Sequence, residues 1–441
     1  MARAVAVLGV GGAPLRRAAL LAGAELEDAA RTADELRAAN ILHGDCELVF
    51  VHPLVRAAVY ADIAPSARSR AHASAARIVS ADGAGVDRVA AHLLTAEPGG
   101  DAWAVEQLRA AARRALEAGA PDAASALLTR ALAEPPSAAE RIDVLVECGT
   151  ATSAVDPSAT VEHFAAALAL ASDPARRAAI VLPLAKALGF SDRLEEAVAT
   201  AASVLDELEG AEEDLVRLVE CEWLMWGHFW LDNPDRNAHS RRLRAMAGGL
   251  PGESVSQRTA LGLLAWDLVV SDTPAHETLA AAGRALGPGR VFTDPDQGFE
   301  IPTLVAAAYM YCDEFDRALE LFDRGVGELR SAGWLVHLTF TYANRAYVRM
   351  RQGALLDAEA DASTAWELAS QLGPMFPAWW FAFGDIIQVL IERGSVDRAL
   401  ELAEATGVGD LSPDAVISHS RASCEGSSMP RVGPTSGPPR S

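Results

Sequence analysis

The chain has 441 residues, of which 50% are hydrophobic, and its formal net charge is -22 at pH 7. A chain of this length can bury a large core and is expected to form two or three domains. A surface this acidic does not attract nucleic-acid phosphates, so direct contact with DNA or RNA is not expected. The five cysteines are widely spaced without a CxxC pair, which is typical of a reducing compartment and predicts a cytoplasmic protein.

The N-terminal stretch MARAVAVLGVGGAPLRR contains an apolar segment of the kind that a weak secretion signal would share. The segment is poor in leucine and is followed at once by Arg16 and Arg17, which argues against secretion. No run of the sequence approaches the roughly 18 apolar residues of a membrane helix. We therefore expect no contact with a membrane.

Residues 1–90 are predicted to form a winged-helix-like module. The segments APLRRAALLAG and ELEDAARTADELRAAN carry apolar residues at helical spacing and predict two helices. The sequence NILHGDCELVFV then places apolar runs on both sides of a glycine and an aspartate, which predicts a short β hairpin, or wing. Pro53 suits the first turn of a further helix, PLVRAAVYADI, because a proline has no N–H to leave unpaired there.

Residues 91–410 are predicted to form an array of helical hairpins. Five segments share a tight turn, an aspartate or arginine, and an alanine near the start of the second helix. These alanines are Ala124, Ala197, Ala318, Ala358 and Ala399. Their separations fit a repeat of about 37 to 41 residues, slightly longer than the ~34 of a tetratricopeptide repeat. The chain is therefore predicted to be mainly α, with a tetratricopeptide-like α-solenoid of hairpins of about 40 residues.

Two parts of the chain do not show this pattern. The register of the repeat stays open between about residues 210 and 300. Residues 411–441 lose all periodicity and are rich in serine, proline and glycine, so we expect a disordered tail there.

The segment LVFVHPLVRAAVY, the later stretch that begins VAAHLLTAEPGG, and the hairpins of about 40 residues resemble the middle region of large ATP-binding regulators of the LuxR type. In that family an ATPase domain precedes a winged-helix segment and a tetratricopeptide-like array, and a DNA-binding helix-turn-helix follows. The resemblance covers roughly residues 1–410 and is strongest from Leu48 to Pro136. It implies a role in transcription regulation and signal transduction through protein–protein interaction.

Two motifs of that family have no counterpart in this sequence. The phosphate-binding loop needs the pattern G-x-x-x-x-G-K-[ST]. The single lysine, Lys186, lies in LPLAKALGF without a glycine loop, and the glycine-rich stretch Gly9–Leu15 contains no lysine. The predicted tail stands where a helix-turn-helix would follow. We therefore assign neither ATP hydrolysis nor DNA binding to any residue, and we expect no cofactor and no enzymatic activity.

The stretch FVHPLVR places His52 and Arg56 inside an apolar run. One interpretation is an interdomain contact that senses the nucleotide of a neighbouring ATPase domain. The other, which we favour, is structural: His52 ends the wing strand, while Leu54, Ala58 and Val59 pack inward and Arg56 pairs with an acidic neighbour. No nucleophile lies nearby in the order of a catalytic triad, and the histidines lack the spacing of zinc ligands, so we predict no catalytic or metal-binding residue.

Two aromatic clusters are candidates for a ligand- or partner-binding groove on the concave face of the array. They lie in the segments WLMWGHFWLD and FPAWWFAFGD. The candidate groove residues are Trp223, Trp226, Trp230, Trp379, Trp380 and Phe383. Tryptophans on helix faces more often pack between repeats, and that alternative stays open. The adjacent Trp379 and Trp380 are not expected to point into the same core.

The leading hypothesis is a non-enzymatic sensor and interaction module of a LuxR-type regulator. It would bind a small-molecule effector or a protein partner in the groove and could self-associate. Two alternatives stay open: a truncated gene product without independent function, and a divergent ATPase whose nucleotide site is not recognisable.

Overall fold

The computed structural model describes residues 1–9, 11–45, 47–134, 137–153, 156–230, 232–271, 273–294, 297–373 and 377–407. The tail predicted for residues 411–441 lies outside these ranges. The chain divides into two compact units, the first being Met1–Leu170 and the second beginning at Ala171. A boundary near residue 90, inside the first unit, stays a prediction. None of the helices in the described ranges is both long and apolar enough to cross a membrane.

The first unit begins with four helices and a small three-stranded sheet. The helices are α1 Ala2–Leu8, α2 Leu15–Ala22, α3 Leu26–Ala38 and α4 Pro53–Ala61, and the strands are β1 Ala13–Pro14, β2 Leu42–His43 and β3 Glu47–Phe50. Strand β3 lies between the other two and pairs antiparallel with both; Ala13 lies opposite Leu48, and Leu42 lies opposite Phe50. The predicted helices α2, α3 and α4 and the predicted hairpin are confirmed.

Helix α1 and strand β1 are not predicted from the sequence. Helix α1 is the apolar N-terminal stretch that was compared with a secretion signal. Its residues Ala4 to Leu8 are buried in the hydrophobic core of the first unit. Arg3 is the one polar residue of this seven-residue helix, and a helix so short and apolar does not show the 3.6-residue periodicity by which amphipathic helices are recognised. Strand β1 spans only two residues, which is too short for an alternating pattern.

The start of α4 matches its prediction. His52 is the N-cap residue, and its Nδ1 accepts a hydrogen bond from the backbone N–H of Leu54 at 3.1 Å. Pro53 occupies the first turn. The cap therefore gives His52 a structural role that needs no ligand.

The packing predicted for the rest of α4 is partly wrong. Val59 contacts the core, but Leu54 is 73% exposed and Ala58 is also exposed. Arg56 makes no ion pair within the described residues; its guanidinium lies over the ring of Tyr60, 5.8 Å from the centroid. An aromatic face attracts a guanidinium, so this contact takes the place of the expected acidic neighbour.

Six further helices complete the first unit, and each packs against the next. They are α5 Pro65–Ala81, α6 Val86–Thr95, α7 Ala102–Glu117, α8 Pro121–Ala133, α9 Ala138–Thr152 and α10 Pro157–Leu170. The unit also buries a chain of polar rings: Tyr60 Oη lies 2.8 Å from His72 Nε2, and His72 Nδ1 lies 3.0 Å from His92 Nδ1. Burial, with a smaller contribution from His72, lowers the pKa of His92 to about 4, so that His92 is neutral at pH 7.

The second unit consists of helical hairpins. Its helices are α11 Pro174–Phe190, α12 Leu194–Leu205, α13 Glu213–Phe229, α14 Arg236–Ala247, α15 Val255–Val270, α16 Ala275–Ala282, α17 Glu300–Tyr311, α18 Phe315–Ala332, α19 Leu335–Arg351, α20 Leu355–Leu372, α21 Pro377–Glu392 and α22 Val396–Thr406. Each odd-numbered helix packs against its own even-numbered partner and against the next odd-numbered helix. Contact between neighbouring hairpins is the packing of a tetratricopeptide-like α-solenoid, so the predicted mainly α fold is confirmed.

The alanine signature is confirmed as a packing device. All five alanines lie on the second helix of a hairpin and are at most 4% exposed; they are Ala124, Ala197, Ala318, Ala358 and Ala399. Alanine has no side chain beyond Cβ, so the two helices of each hairpin can approach closely at these points. The open register between about residues 210 and 300 contains two hairpins, whose second helices, α14 and α16, have only 12 and 8 residues.

Candidate functional site

The second unit contains a cavity of about 270 Å³. The first helix of every hairpin in the unit contributes to its wall, so the cavity extends along helices α11, α13, α15, α17, α19 and α21. Its aromatic lining includes Phe190, Trp226, Trp266, Tyr311, Phe340 and Phe381. A concave, largely apolar cavity with a few polar groups is the usual form of a small-molecule site.

Helical spacing brings the lining side chains together. On α19 the lining residues are Phe340, Asn344 and Tyr347, at intervals of four and three. Residues at this spacing lie on one face of a helix. Helix α21 repeats the arrangement with a carboxylate in the middle position, at Asp385 between Phe381 and Gln388. The polar positions of the two helices therefore face the same cavity.

The aromatic wall is continuous from hairpin to hairpin. Phe229 and Trp266 stack with their ring centroids 6.3 Å apart, and Trp266 meets Tyr311 edge to face at 6.1 Å. Phe340 and Phe381 lie 5.1 Å apart. Each of these pairs joins two different helices, so the wall is built by contacts between repeats.

Gly189 allows the Trp226 ring to lie against α11. A Cβ atom built at position 189 would overlap that ring. The indole Nε1 of Trp226 donates a hydrogen bond to Oε2 of Glu222 at 2.9 Å, one turn earlier on α13. The ring is therefore held by the glycine on one side and by a buried carboxylate on the other.

A buried charge cluster lies beside this ring. The Nζ atom of Lys186 lies 3.5 Å from Oε1 of Glu222 and 3.6 Å from Oε2 of Glu300, which also lines the cavity. Burial disfavours the charged lysine, but the two carboxylates outweigh burial and raise its pKa. Burial also raises the pKa of Glu222, more than the attraction of Lys186 lowers it. Lys186 and Glu222 line a second cavity of about 500 Å³ as well.

Asp385 is the carboxylate of α21 that lines the aromatic cavity. Within the described residues, its carboxylate makes neither a hydrogen bond nor an ion pair. Desolvation raises its pKa to about 8. Burial, followed by the neighbouring Tyr347 hydroxyl and with a smaller part from Asp385, raises the pKa of Tyr311 to about 12, although Arg351 acts in the opposite direction. A carboxyl group with a raised pKa that faces a cavity is a common feature of binding and catalytic sites.

Comparison with known proteins gives a likeness of fold only. No protein-family model and no curated protein sequence matches the chain significantly. Among solved structures, a signal transduction ATPase with numerous domains and a tetratricopeptide repeat sensor from Pyrococcus horikoshii is 12% identical, with a TM-score of 0.39; the match covers 92% of this chain and 62% of that one. The chain thus spans less than two thirds of that protein.

Two other solved structures give similar values. A tetratricopeptide repeat protein from Parabacteroides merdae is 13% identical, with a TM-score of 0.39, over 64% of this chain and 99% of that one. A Rap protein in complex with Competence and Sporulation Factor is 12% identical, with a TM-score of 0.37, over 85% of this chain and 94% of that one. At these scores the likeness carries no functional conclusion.

The first predicted aromatic cluster is divided by the structure. Trp226 lines the cavity. Trp223 instead packs against His239 of α14, with ring centroids 4.2 Å apart, and Trp230 is the half-buried C-cap of α13. Neither of these two is among the lining residues.

The second predicted cluster packs on Trp366 of α20. Trp379 is buried, lies edge to face with Trp366 at 5.1 Å and stacks on Phe383 at 5.5 Å. Trp380 is half-buried and contacts Trp379 at 4.7 Å. Trp379, Trp380 and Phe383 do not line the cavity. The rings of the adjacent Trp379 and Trp380 contact each other. Their part in binding stays a prediction.

Most of the residues that line the cavity are not among the candidates predicted from the sequence. Phe381 lies in the quoted segment FPAWWFAFGD but is not one of the six candidate groove residues, and Asp385 follows it by one turn. A sequence signal for Asp385 does exist, because it is the one charged residue of the apolar helix α21 before its last residue, Glu392. The interdomain contact proposed for His52 and Arg56 stays a prediction.

Proposed function

We propose that the chain is a non-enzymatic sensor module that binds an effector in the aromatic cavity of its second unit. The observation that carries the proposal is that the first helices of six successive hairpins line one cavity. In a helical-repeat protein each hairpin normally contacts only its neighbours. A ligand in this cavity would touch side chains from Phe190 to Gln388 and would link hairpins that are otherwise far apart in sequence.

The mechanism follows from that linkage. An occupant of the cavity adds contacts between hairpins and so favours one arrangement of the array over others. The shift in population is limited by the difference in the ligand's affinity for the two arrangements. In a complete LuxR-type regulator such a shift would release the ATPase domain and promote self-association.

We extend the proposal to the N-terminal residues, which we propose to form a winged-helix module. The order α1-β1-α2-α3-β2-β3 and the sheet order β1-β3-β2 are those of a winged helix and support this assignment. The LuxR-type context, the cytoplasmic location and the binding of a protein partner are parts of the same proposal. The cavity lies entirely in the second unit, so the proposal that it binds an effector does not depend on this assignment.

The cavity can be tested with a neutral fluorescent probe, N-phenyl-1-naphthylamine, whose emission rises in apolar surroundings. Ala307 of α17 lines the cavity, and Ala307→Trp would fill part of it. We expect the wild-type chain to bind the probe with a saturable rise in fluorescence and Ala307→Trp to bind it at least about tenfold more weakly. The matched control is Ala360→Trp, at an exposed position of α20, which should bind like wild type.

Two results would contradict the proposal. If a folded Ala307→Trp variant binds the probe as tightly as wild type, the cavity is not the site. If the purified chain binds ATP saturably or releases phosphate from it, the non-enzymatic part of the proposal is wrong.

A further inference from the structure

We infer that the effector is a small organic cation, with an apolar or aromatic body and one ammonium group, and that Asp385 is its counter-ion. This inference rests on the proposed function and adds the chemical class of the ligand. It depends on three observations: the acidic lining of the cavity, the aromatic wall, and the carboxyl group of Asp385, which has no partner within the described residues.

The lining of the cavity is acidic and offers no basic group to an anion. Asp385 and Glu300 line the cavity, and none of the described lining residues is a lysine or an arginine. Glu300 already has a partner, because Lys186 lies between it and Glu222. Within the described residues no ion pair joins Asp385 to a basic group, and a ligand with a single positive charge would supply one.

Asp385 is the member of this group that can take a new partner. Glu222 accepts from Trp226, and both glutamates face Lys186. Asp385 has neither a hydrogen bond nor an ion pair within the described residues, although it lies inside the cavity wall. The residue is half-buried, and a ligand ammonium group at this position would gain a charge-assisted hydrogen bond to its carboxyl.

The aromatic wall suits the same class of ligand. Cations are attracted to the faces of tryptophan, tyrosine and phenylalanine rings. An apolar ligand body that packs against the same rings is removed from water. Trp266, Tyr311 and Phe381 all lie in the wall that also contains Asp385. An anionic ligand would meet two carboxyl groups, Asp385 and Glu300, and no lysine or arginine among the described lining residues, and is therefore disfavoured. The volume of about 270 Å³ limits the occupant to a small molecule.

Other titratable groups line the same cavity. On α17 they are Glu300 and Tyr311, and on α19 the residue is Tyr347, with Arg351 over the Tyr311 ring at 5.8 Å. The carboxylates of α20 are already paired with arginines: Glu359 with Arg393 and Arg398, and Asp361 with Arg345 and Arg349. None of these arginines lines the cavity. The polar side chains that share the wall with Asp385 are thus hydroxyls, the amides of Asn344 and Gln388, and the carboxyl of Glu300.

This environment predicts proton release on binding. With a pKa of about 8, the empty site holds Asp385 largely protonated at pH 7. A cation favours the ionised carboxylate, so binding releases a proton to the buffer. The affinity for a cation should therefore rise about tenfold per pH unit up to roughly pH 8 and level off above it. A neutral ligand should show no such rise.

The test uses three compounds that share an indole ring and differ in charge: tryptamine, indole-3-acetamide and indole-3-acetate. Isothermal titration calorimetry of the full chain at pH 7.5, with two buffers of different ionisation enthalpy, measures affinity and proton release together. We expect tryptamine to bind at least about tenfold more tightly than the neutral amide, with release of a proton, and the acetate to bind most weakly.

Asp385→Asn should lower the affinity for tryptamine at least about tenfold and abolish proton release, while changing the affinity for the amide less than about twofold. The matched control, Asp397→Asn, alters an exposed residue of α22 and should behave like wild type. Equal binding of the three compounds, or unchanged tryptamine binding by Asp385→Asn, would overturn the inference. If N-phenyl-1-naphthylamine still binds in that case, only the ligand class is wrong; if it does not, the proposed function fails as well.

Discussion

Lys186 is the residue on which the polar side of the cavity depends. It is the only lysine in the chain, and it lies between two carboxylates that are almost fully removed from solvent. Through Glu222 it also affects Trp226, whose indole donates to that carboxylate. A residue that a sequence search considers as a phosphate-binding lysine is therefore, in the structure, a partner of buried acids.

Lys186→Met tests this role. Removing the ammonium leaves Glu222 and Glu300 buried without a positive partner, and we expect the free energy of unfolding to fall by about 3 kcal/mol. Urea denaturation followed by tryptophan fluorescence measures this change in the second unit, because every tryptophan except Trp103 lies there.

The control for Lys186→Met is Arg193→Met, which removes an exposed ion pair with Glu196. The two side chains are 44% and 57% exposed, so this change should cost less than about 1 kcal/mol. Equal effects of the two substitutions would show that burial of the Lys186 cluster adds nothing to stability.

Asp385 shows what sequence reasoning can miss at the scale of a residue. The six candidate groove residues were predicted from two segments rich in tryptophan and phenylalanine. Of these six, only Trp226 lines the cavity. A single aspartate in an apolar helix was the more informative signal, because removing a carboxyl group even partly from water costs free energy unless it gains a partner. Which ring faces the cavity and which packs between helices depends on the rotation of each helix, and the sequence of one repeat does not fix that rotation.

At the scale of the element, two glycines within helices have opposite roles: Gly189 next to the end of α11 and Gly384 in the middle of α21. Gly189 of α11 lies against the Trp226 ring, whereas a Cβ atom at Gly384 of α21 would meet nothing within 4 Å. Alanine is a better helix former than glycine by about 0.5 to 1 kcal/mol. The same substitution should therefore give effects of opposite sign at the two positions.

Gly189→Ala is expected to lower the free energy of unfolding by about 1 to 3 kcal/mol and to displace Trp226 into the cavity, which should weaken probe binding. Gly384→Ala should raise the free energy of unfolding by up to about 1 kcal/mol and leave probe binding unchanged. Urea denaturation and the N-phenyl-1-naphthylamine titration measure the two effects. Similar changes in stability at both sites would contradict the close packing of Gly189 on Trp226.

The helical hairpins were predictable because one physical requirement repeats along the chain. Two helices in close contact need a small residue at the same point of each hairpin, and Ala318 and Ala358 mark that point about 40 residues apart. The alanine pattern is not recognisable in the hairpin that ends with α16. This helix has only eight residues, so less of it packs against its partner helix. Helix α1 escaped prediction for a different reason: it has seven residues, of which only Arg3 is polar, so no repeating polar face appears in its sequence.

At the scale of the whole molecule, the central claim concerns the second unit. Its hairpins contact their neighbours in sequence, and the first and fourth hairpins also meet through Lys186 and Glu300. One cavity extends along their first helices. An occupant is therefore expected to act on the array as a whole, and not on a single repeat. This coupling is what would make the unit a sensor.

Hydrogen–deuterium exchange with and without saturating N-phenyl-1-naphthylamine tests that claim most directly, because it reports the local stability of every helix. The account predicts slower exchange in α11, α13, α15, α17, α19 and α21 together, no change in α2 and α3, and loss of the effect in Ala307→Trp. Protection confined to one hairpin, or protection that appears in α2 and α3 instead, would contradict it.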